Sequence, residues 1–314
     1  MAAPQLLILG LDGATWRLFE PWARAGRLPH LAALMARGTW GTLRSTVPAL
    51  TLPAWSSFMT GRNPGGHGVF AFRRLATTRY GLGGLANASD LRARTIWEIA
   101  GRAGKRVGVI NLPPSYPIRP VNGFVVGCML TPPGEPLTYP PEIQSELEGY
   151  EIDQPVPPAV RQGGAGYREG ALTFLEGMRR QTVARAEAAL RLMVRHPVDA
   201  LCAVFYAPDR VQHYFWHYAN PDQASGAARD PEIERALAAV YAALDAAVGD
   251  LVAAAGPEAR VVVLSDHGFT NSPGRAVHIN RWLALLAIAV AIMIGSTLAV
   301  AGFAEGELQI EQRE

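Results

Sequence analysis

Two spacings of apolar residues organise the chain. Short unbroken runs of strand length, Leu6-Leu-Ile-Leu-Gly-Leu11, Asp199–Tyr206 and Ala259–Ser265, predict strands buried on both faces. Between them apolar side chains recur every three or four residues. Leu172, Leu175, Val183, Ala186, Leu190 and Met193 mark a long amphipathic helix over Tyr167–His196, and Ile233, Leu237, Val240, Leu244, Val248 and Leu251 mark a second. A short helix is expected over Pro29–Gly38, opened by proline and stopped by glycine. A strand is expected over Thr39–Thr46, then a helix from near Pro53 to Gly61, and a helix over Arg94–Gly104 feeding a strand over Arg106–Leu112. From Pro132 to Gly166 proline and glycine are dense and only Pro140–Leu147 looks helical, which predicts a surface excursion. The alternation of strand and helix implies an α/β fold, a mostly parallel central sheet flanked by helices and carrying a Pro/Gly-rich insertion. No internal repeat is visible.

Composition narrows the class. At 314 residues, 49% hydrophobic and 18% charged, the chain is globular and long enough for a substantial core. A formal charge of +2 with scattered basic residues argues against a nucleic-acid duplex as partner. Cys128 and Cys202 stand far apart without C-x-x-C spacing, so neither a disulfide framework nor a thiolate metal site is expected. The first apolar run has no basic residues before it and reads as a strand instead of a secretory signal. From Trp282 to Ala304 no residue is charged, and residues 284–304 read as an apolar C-terminal helix able to span a bilayer, followed by an acidic tail over 305–314. Arg275 and Arg281 on its near side would keep the main domain cytoplasmic. The other reading is a truncated or frame-shifted chain without a span, which would be cytoplasmic.

Chemistry gathers at the ends of the apolar runs. Asp12 and Asp266 directly follow two of them and Asp209 follows the third, with His213 four residues after Asp209 and His267 next to Asp266. In a parallel sheet these ends share one edge, where ligands bind. Singly, each has an ordinary reading: Asp12 as a cap, Asp266–Gly268 as a turn, His213 as a core histidine. Together they form a set of carboxylate and imidazole ligands without thiolate, which suits zinc, with manganese as the second choice. If the turn after Tyr206 is helical, Asp209 and His213 share a face one turn apart. Thr51 lies just ahead of a helix amino terminus, where a hydroxyl is either a cap or a nucleophile facing an anion. Two divalent cations about 4 Å apart would serve in-line displacement at phosphorus, with Thr51 attacking.

The ordered motifs Gly10-Leu-Asp12-Gly-Ala-Thr-Trp, Leu43–Gly61 around Thr51, Asn63-Pro-Gly-Gly-His67-Gly, Asp209-Arg-Val-Gln-His213 and Ser265-Asp266-His267-Gly-Phe are similar to those of the alkaline phosphatase superfamily. Within it they resemble the type I phosphodiesterases and nucleotide pyrophosphatases, over roughly residues 5–283. The resemblance implies an alkaline-phosphatase-like fold in which Asp12, Thr51, Asp266 and His267 hold one metal and Asp209 and His213 the other. It implies hydrolysis of phosphodiester, pyrophosphate or phosphomonoester bonds in a small phosphorylated substrate through a phospho-threonine. Family members bring a further histidine to the second metal from well beyond the Asp-His-Gly motif. Here the family-like sequence stops near Asn280–Leu283, so the second site is expected to be incomplete, with His278 and His217 the remaining candidates. The alternatives are a catalytically impaired, membrane-attached phosphate-binding protein and, less favoured, a phosphomutase. The expected organisation is a hydrolase domain over 1–283, a span over 284–304 and the tail; oligomeric state is not encoded legibly.

Overall fold

The computed structural model describes residues 3–75, 82–219 and 229–270, together with helical positions 282–283, 285–290 and 293. The chain divides into two compact units, Met1–Thr270 and Asn271–Glu314. Sheet, core and site all belong to the first. The expected span and tail over 284–314 lie largely outside the described residues, and His278 does so entirely.

In chain order the elements are β1 (Leu6–Leu11), α1 (Trp16–Arg24), α2 (Pro29–Arg37), α3 (Thr51–Thr60), α4 (Pro64–His67), β2 (Arg73–Leu75), β3 (Leu82–Leu85), α5 (Ile96–Arg102), β4 (Val107–Ile110) and β5 (Gly123–Val126). There follow β6 (Thr138–Tyr139), α6 (Pro158–Gln162), α7 (Tyr167–Arg195), β7 (Ala200–Phe205), α8 (Ala207–Ala219), α9 (Pro231–Ala255) and β8 (Arg260–Leu264). Six strands form one sheet in the order β6-β5-β4-β7-β1-β8, parallel throughout except for the β5–β6 pair. The remaining two, β2 and β3, make a separate antiparallel hairpin.

β1, β4 and β7 are covered on both faces, which is why they read as apolar runs, whereas β8, expected to be buried likewise, lies at the sheet's edge and is half-exposed. Along β1 the pleat sends Leu7, Leu9 and Leu11 into one buried cluster with residues of α1, α2, α7, α8 and α9, and Ile8 into another with Trp55 of α3 and Trp97 of α5. Among the described residues α9 is the one helix long and apolar enough to cross a membrane. Its apolar stripe, Ile233 through Leu251, is instead buried against α7, α8, α2 and β1, as a core helix requires. Its buried Asp245 reaches across to α2, accepting hydrogen bonds from the amide groups of His30 (3.0 Å) and Leu31 (2.8 Å) at that helix's otherwise uncapped start.

Two expectations need correction. Thr39–Thr46 is not a strand but mostly exposed, irregular backbone. Its hydroxyls and carbonyls are used by side chains instead of a ladder: Trp16 Nε1 donates to Gly41 O, and Ser45 Oγ to Asp266 O. The stretch from Pro132 to Gly166 is also more than an excursion with one helical turn. It supplies the edge strand β6, a 3-10 helix over Pro141–Glu146 and α6.

Candidate metal centre

Site geometry follows from the register of three parallel strands. β1 lies between β7 and β8, with Leu11 opposite Phe205 and Gly10 opposite Leu264. The residues after these, Asp12, Tyr206 and Ser265-Asp266, therefore leave the sheet at one edge. The exits are stitched together: Asp12 N–H donates to Phe205 O (3.0 Å), Asp209 N–H to Asp12 O (3.0 Å) and Gly13 N–H to Asp266 Oδ1 (3.1 Å). Gln212 Nε2 adds a bond to Gly13 O at 2.9 Å.

Asp12, Asp266 and His267 each present a ligand atom within 4.8 Å of the others. His267 Nε2 lies 3.7 Å from Asp12 Oδ1, 3.4 Å from Asp266 Oδ2 and 4.0 Å from Asp209 Oδ1. Its Nδ1 sits 2.9 Å from Gly268 O, a carbonyl that can only accept, and this contact turns Nε2 toward the acids. Thr51 Oγ, at the first position of α3, is 3.3 Å from the same Nε2. On α8, Asp209 and His213 project from one face with Oδ1 and Nε2 3.3 Å apart.

Two facts say what this cluster is suited to hold. Asp12 Oδ1 and Asp266 Oδ2 are buried and have no hydrogen-bond partner, although buried carboxylate oxygens almost always do. Burial, reinforced by the charges of Asp266 and Asp209, pushes the Asp12 carboxyl well above the ordinary range. Asp266 is likewise pushed up, to about 6, chiefly by burial. Orphaned acceptors and clustered, desolvated acids are both relieved by one divalent cation, so the donor set fits a metal ion. His213 is raised by its bond to Asp209.

His217 does not join this group. α8 breaks its helical geometry at Phe215 (φ −125°, ψ 19°), between the two histidines, and the exposed His217 ring lies against Tyr218. His67 is fully buried elsewhere: Nδ1 accepts from Val69 N–H and Nε2 bonds Ser57 Oγ at 3.0 Å, locking the turn after α3. The residue that sequence reading passed over is Trp55, whose Nε1–H donates to Asp12 Oδ2 at 2.9 Å. Its signal was spacing, since it stands one helical turn after Thr51 and shares that face of α3.

The carboxyl edge of a mostly parallel sheet thus carries an acid-rich cluster that can hold a cation, with a helix-terminal threonine against it. The chain belongs to the type I phosphodiesterase / nucleotide pyrophosphatase family, whose sequence pattern matches residues 6–305. No curated protein sequence matches it. Among solved structures it is similar to phosphonoacetate hydrolase from Sinorhizobium meliloti 1021, in complexes with phosphonoacetate and with phosphonoformate, at 20% identity and TM-score 0.53. That match covers 84% of this chain and 57% of the hydrolase. An inactive variant of murine ectonucleotide pyrophosphatase / phosphodiesterase 5, in complex with AMP, is similar at 15% identity and TM-score 0.50, covering 88% of this chain and 61% of that protein. The likeness lies in the fold, and the chain spans less than two thirds of either protein's length.

Proposed function

We propose that the chain hydrolyses phosphodiester or pyrophosphate bonds of a small phosphorylated substrate, with Thr51 as nucleophile. The observation carrying this is the placement of Thr51 Oγ, 3.3 Å from His267 Nε2 and beside Asp12 and Asp266, at the amino terminus of a ten-residue helix. A divalent cation bound there supplies positive charge that lowers the hydroxyl pKa and offsets charge on phosphoryl oxygens. Asp12, Asp266, His267 and Thr51 would hold it, zinc being favoured by the mixed nitrogen and oxygen donors and manganese second. The amide groups of the first turn of α3, for which a helix offers no internal carbonyl, and the positive end of the helix would orient the phosphoryl group. Thr51 Oγ bonds to phosphorus, its proton passing to water, as the leaving oxygen departs and takes up a proton; a second water then cleaves the threonyl ester, releasing the rest of the substrate as a phosphomonoester and restoring the hydroxyl. The family name and the phosphonate and nucleotide ligands of the two similar structures support a small phosphorylated substrate.

Asp209 and His213 would hold a second cation. Among the described residues no third protein ligand accompanies them, which favours weaker binding there and, as a second reading, an impaired enzyme that retains phosphate binding. Membrane attachment through 284–304 is supported by the described helical positions, where exposed Trp282, Leu283, Leu285, Leu286, Ile288, Val290 and Met293 are all apolar, and Arg275 and Arg281 before the stretch favour a cytoplasmic main domain. The catalytic proposal is tested by acid-quenching the zinc-loaded full chain during turnover and mapping phosphate by peptide mass spectrometry. The substrate's phosphoryl group, still carrying its ester substituent, is expected on Thr51; the same adduct on another residue would contradict the assignment.

A further inference from the structure

We propose that Trp55 is a positioning residue that orients the Asp12 carboxylate and turns its Oδ1 toward the cation. The inference rests on the metal-centre reading above. Asp12 has two carboxylate oxygens in different circumstances. Oδ2 accepts the Trp55 indole N–H at 2.9 Å, while Oδ1 is buried, unpartnered and 3.7 Å from His267 Nε2. The indole N–H anchors Oδ2 and so fixes the turn of the carboxylate, with the unpartnered Oδ1 toward His267; hydrogen bonds of this kind orient ligating carboxylates.

The indole is held where it is. Trp55 is fully buried, and its ring lies so close to Gly10 that a Cβ there would stand 2.5 Å from Cη2. Phe58 packs edge-on against it, with ring centroids 5.6 Å apart at 87°. Gly10 in β1 thus makes room for a ring whose N–H reaches the acid two residues further on. The bond is not simply what any buried indole does in this fold, because buried Trp97 and Trp216 leave their Nε1–H groups unpartnered.

Trp55→Phe keeps an aromatic ring in the site and removes the donor. Zinc affinity of the intact chain, measured by competition with a chromogenic chelator, is expected to fall by roughly 10- to 100-fold with unchanged circular dichroism. A variant that binds zinc as tightly as wild type overturns the positioning role alone; a wild-type chain that binds no zinc overturns the metal centre itself and the role with it. Should Trp55→Phe fail to fold, the wild-type protein still answers. In 15N spectra of labelled tryptophan, one exchange-protected indole N–H is expected to shift on zinc addition, and a set in which none moves overturns the proposal.

Discussion

Asp266 and Asp12 are held in a state that ordinary carboxylates avoid, and this has a measurable sign. Burial raises Asp266 to about 6 and Asp12 well above its usual value. Between the unfolded-state value near 4 and the folded value, the native metal-free chain binds the proton and the unfolded chain does not, so stability falls as pH rises through that window. For Asp266 alone the loss is about 3 kcal/mol by pH 7, and Asp12 adds to it. Urea unfolding of chelator-treated protein at about pH 4 and about pH 7 is expected to show the lower midpoint at pH 7, other titrations being matched by an Asp266→Asn control. Saturating zinc should restore the loss, by about 2.7 kcal/mol at a hundredfold excess over its dissociation constant, and should bind progressively less well below about pH 6. Unchanged midpoints across this range would mean the acids are not desolvated together.

At the level of elements, the site depends on how closely β1 and α8 approach. Gly13 has φ +65°, and a Cβ there would stand 2.9 Å from both Cα and Cβ of Asp209. Gly13→Ala is therefore expected to cost about 1–3 kcal/mol in backbone strain, read from the urea midpoint, and to displace Asp209 as well; a variant of wild-type stability would show that the approach is not tight. Much of this arrangement could be read from the chain before its structure. β1 and β7 are apolar and covered on both faces and β8 is an apolar run at the sheet's edge, so their composition marked them as strands and the strand-end rule placed Asp12 and Asp266 on one edge. What escaped reading was short or dependent on contacts. β5 has four residues and β6 two, below the length at which alternation carries information. Thr39–Thr46 alternates without a neighbouring strand to pair with. The break in α8 at Phe215 and the bond from Trp55 to Asp12 are tertiary facts that no local pattern states.

Across the whole molecule, the family pattern matches to residue 305, beyond the 5–283 stretch legible by eye and into the apolar stretch. The chain nevertheless spans only 57% and 61% of the two similar solved proteins. In the proposed reading Asp12, Thr51, Asp266 and His267 would hold one cation and Asp209 and His213 a second. Whether that suffices for catalysis is decided by hydrolysis of bis-para-nitrophenyl phosphate by the zinc-loaded full chain beside its Thr51→Ala variant, with zinc content measured on both. We predict turnover by the wild type that falls by roughly 1000-fold or more in the variant while zinc is retained. Full zinc occupancy without turnover, or turnover indifferent to the loss of Thr51, would contradict the account.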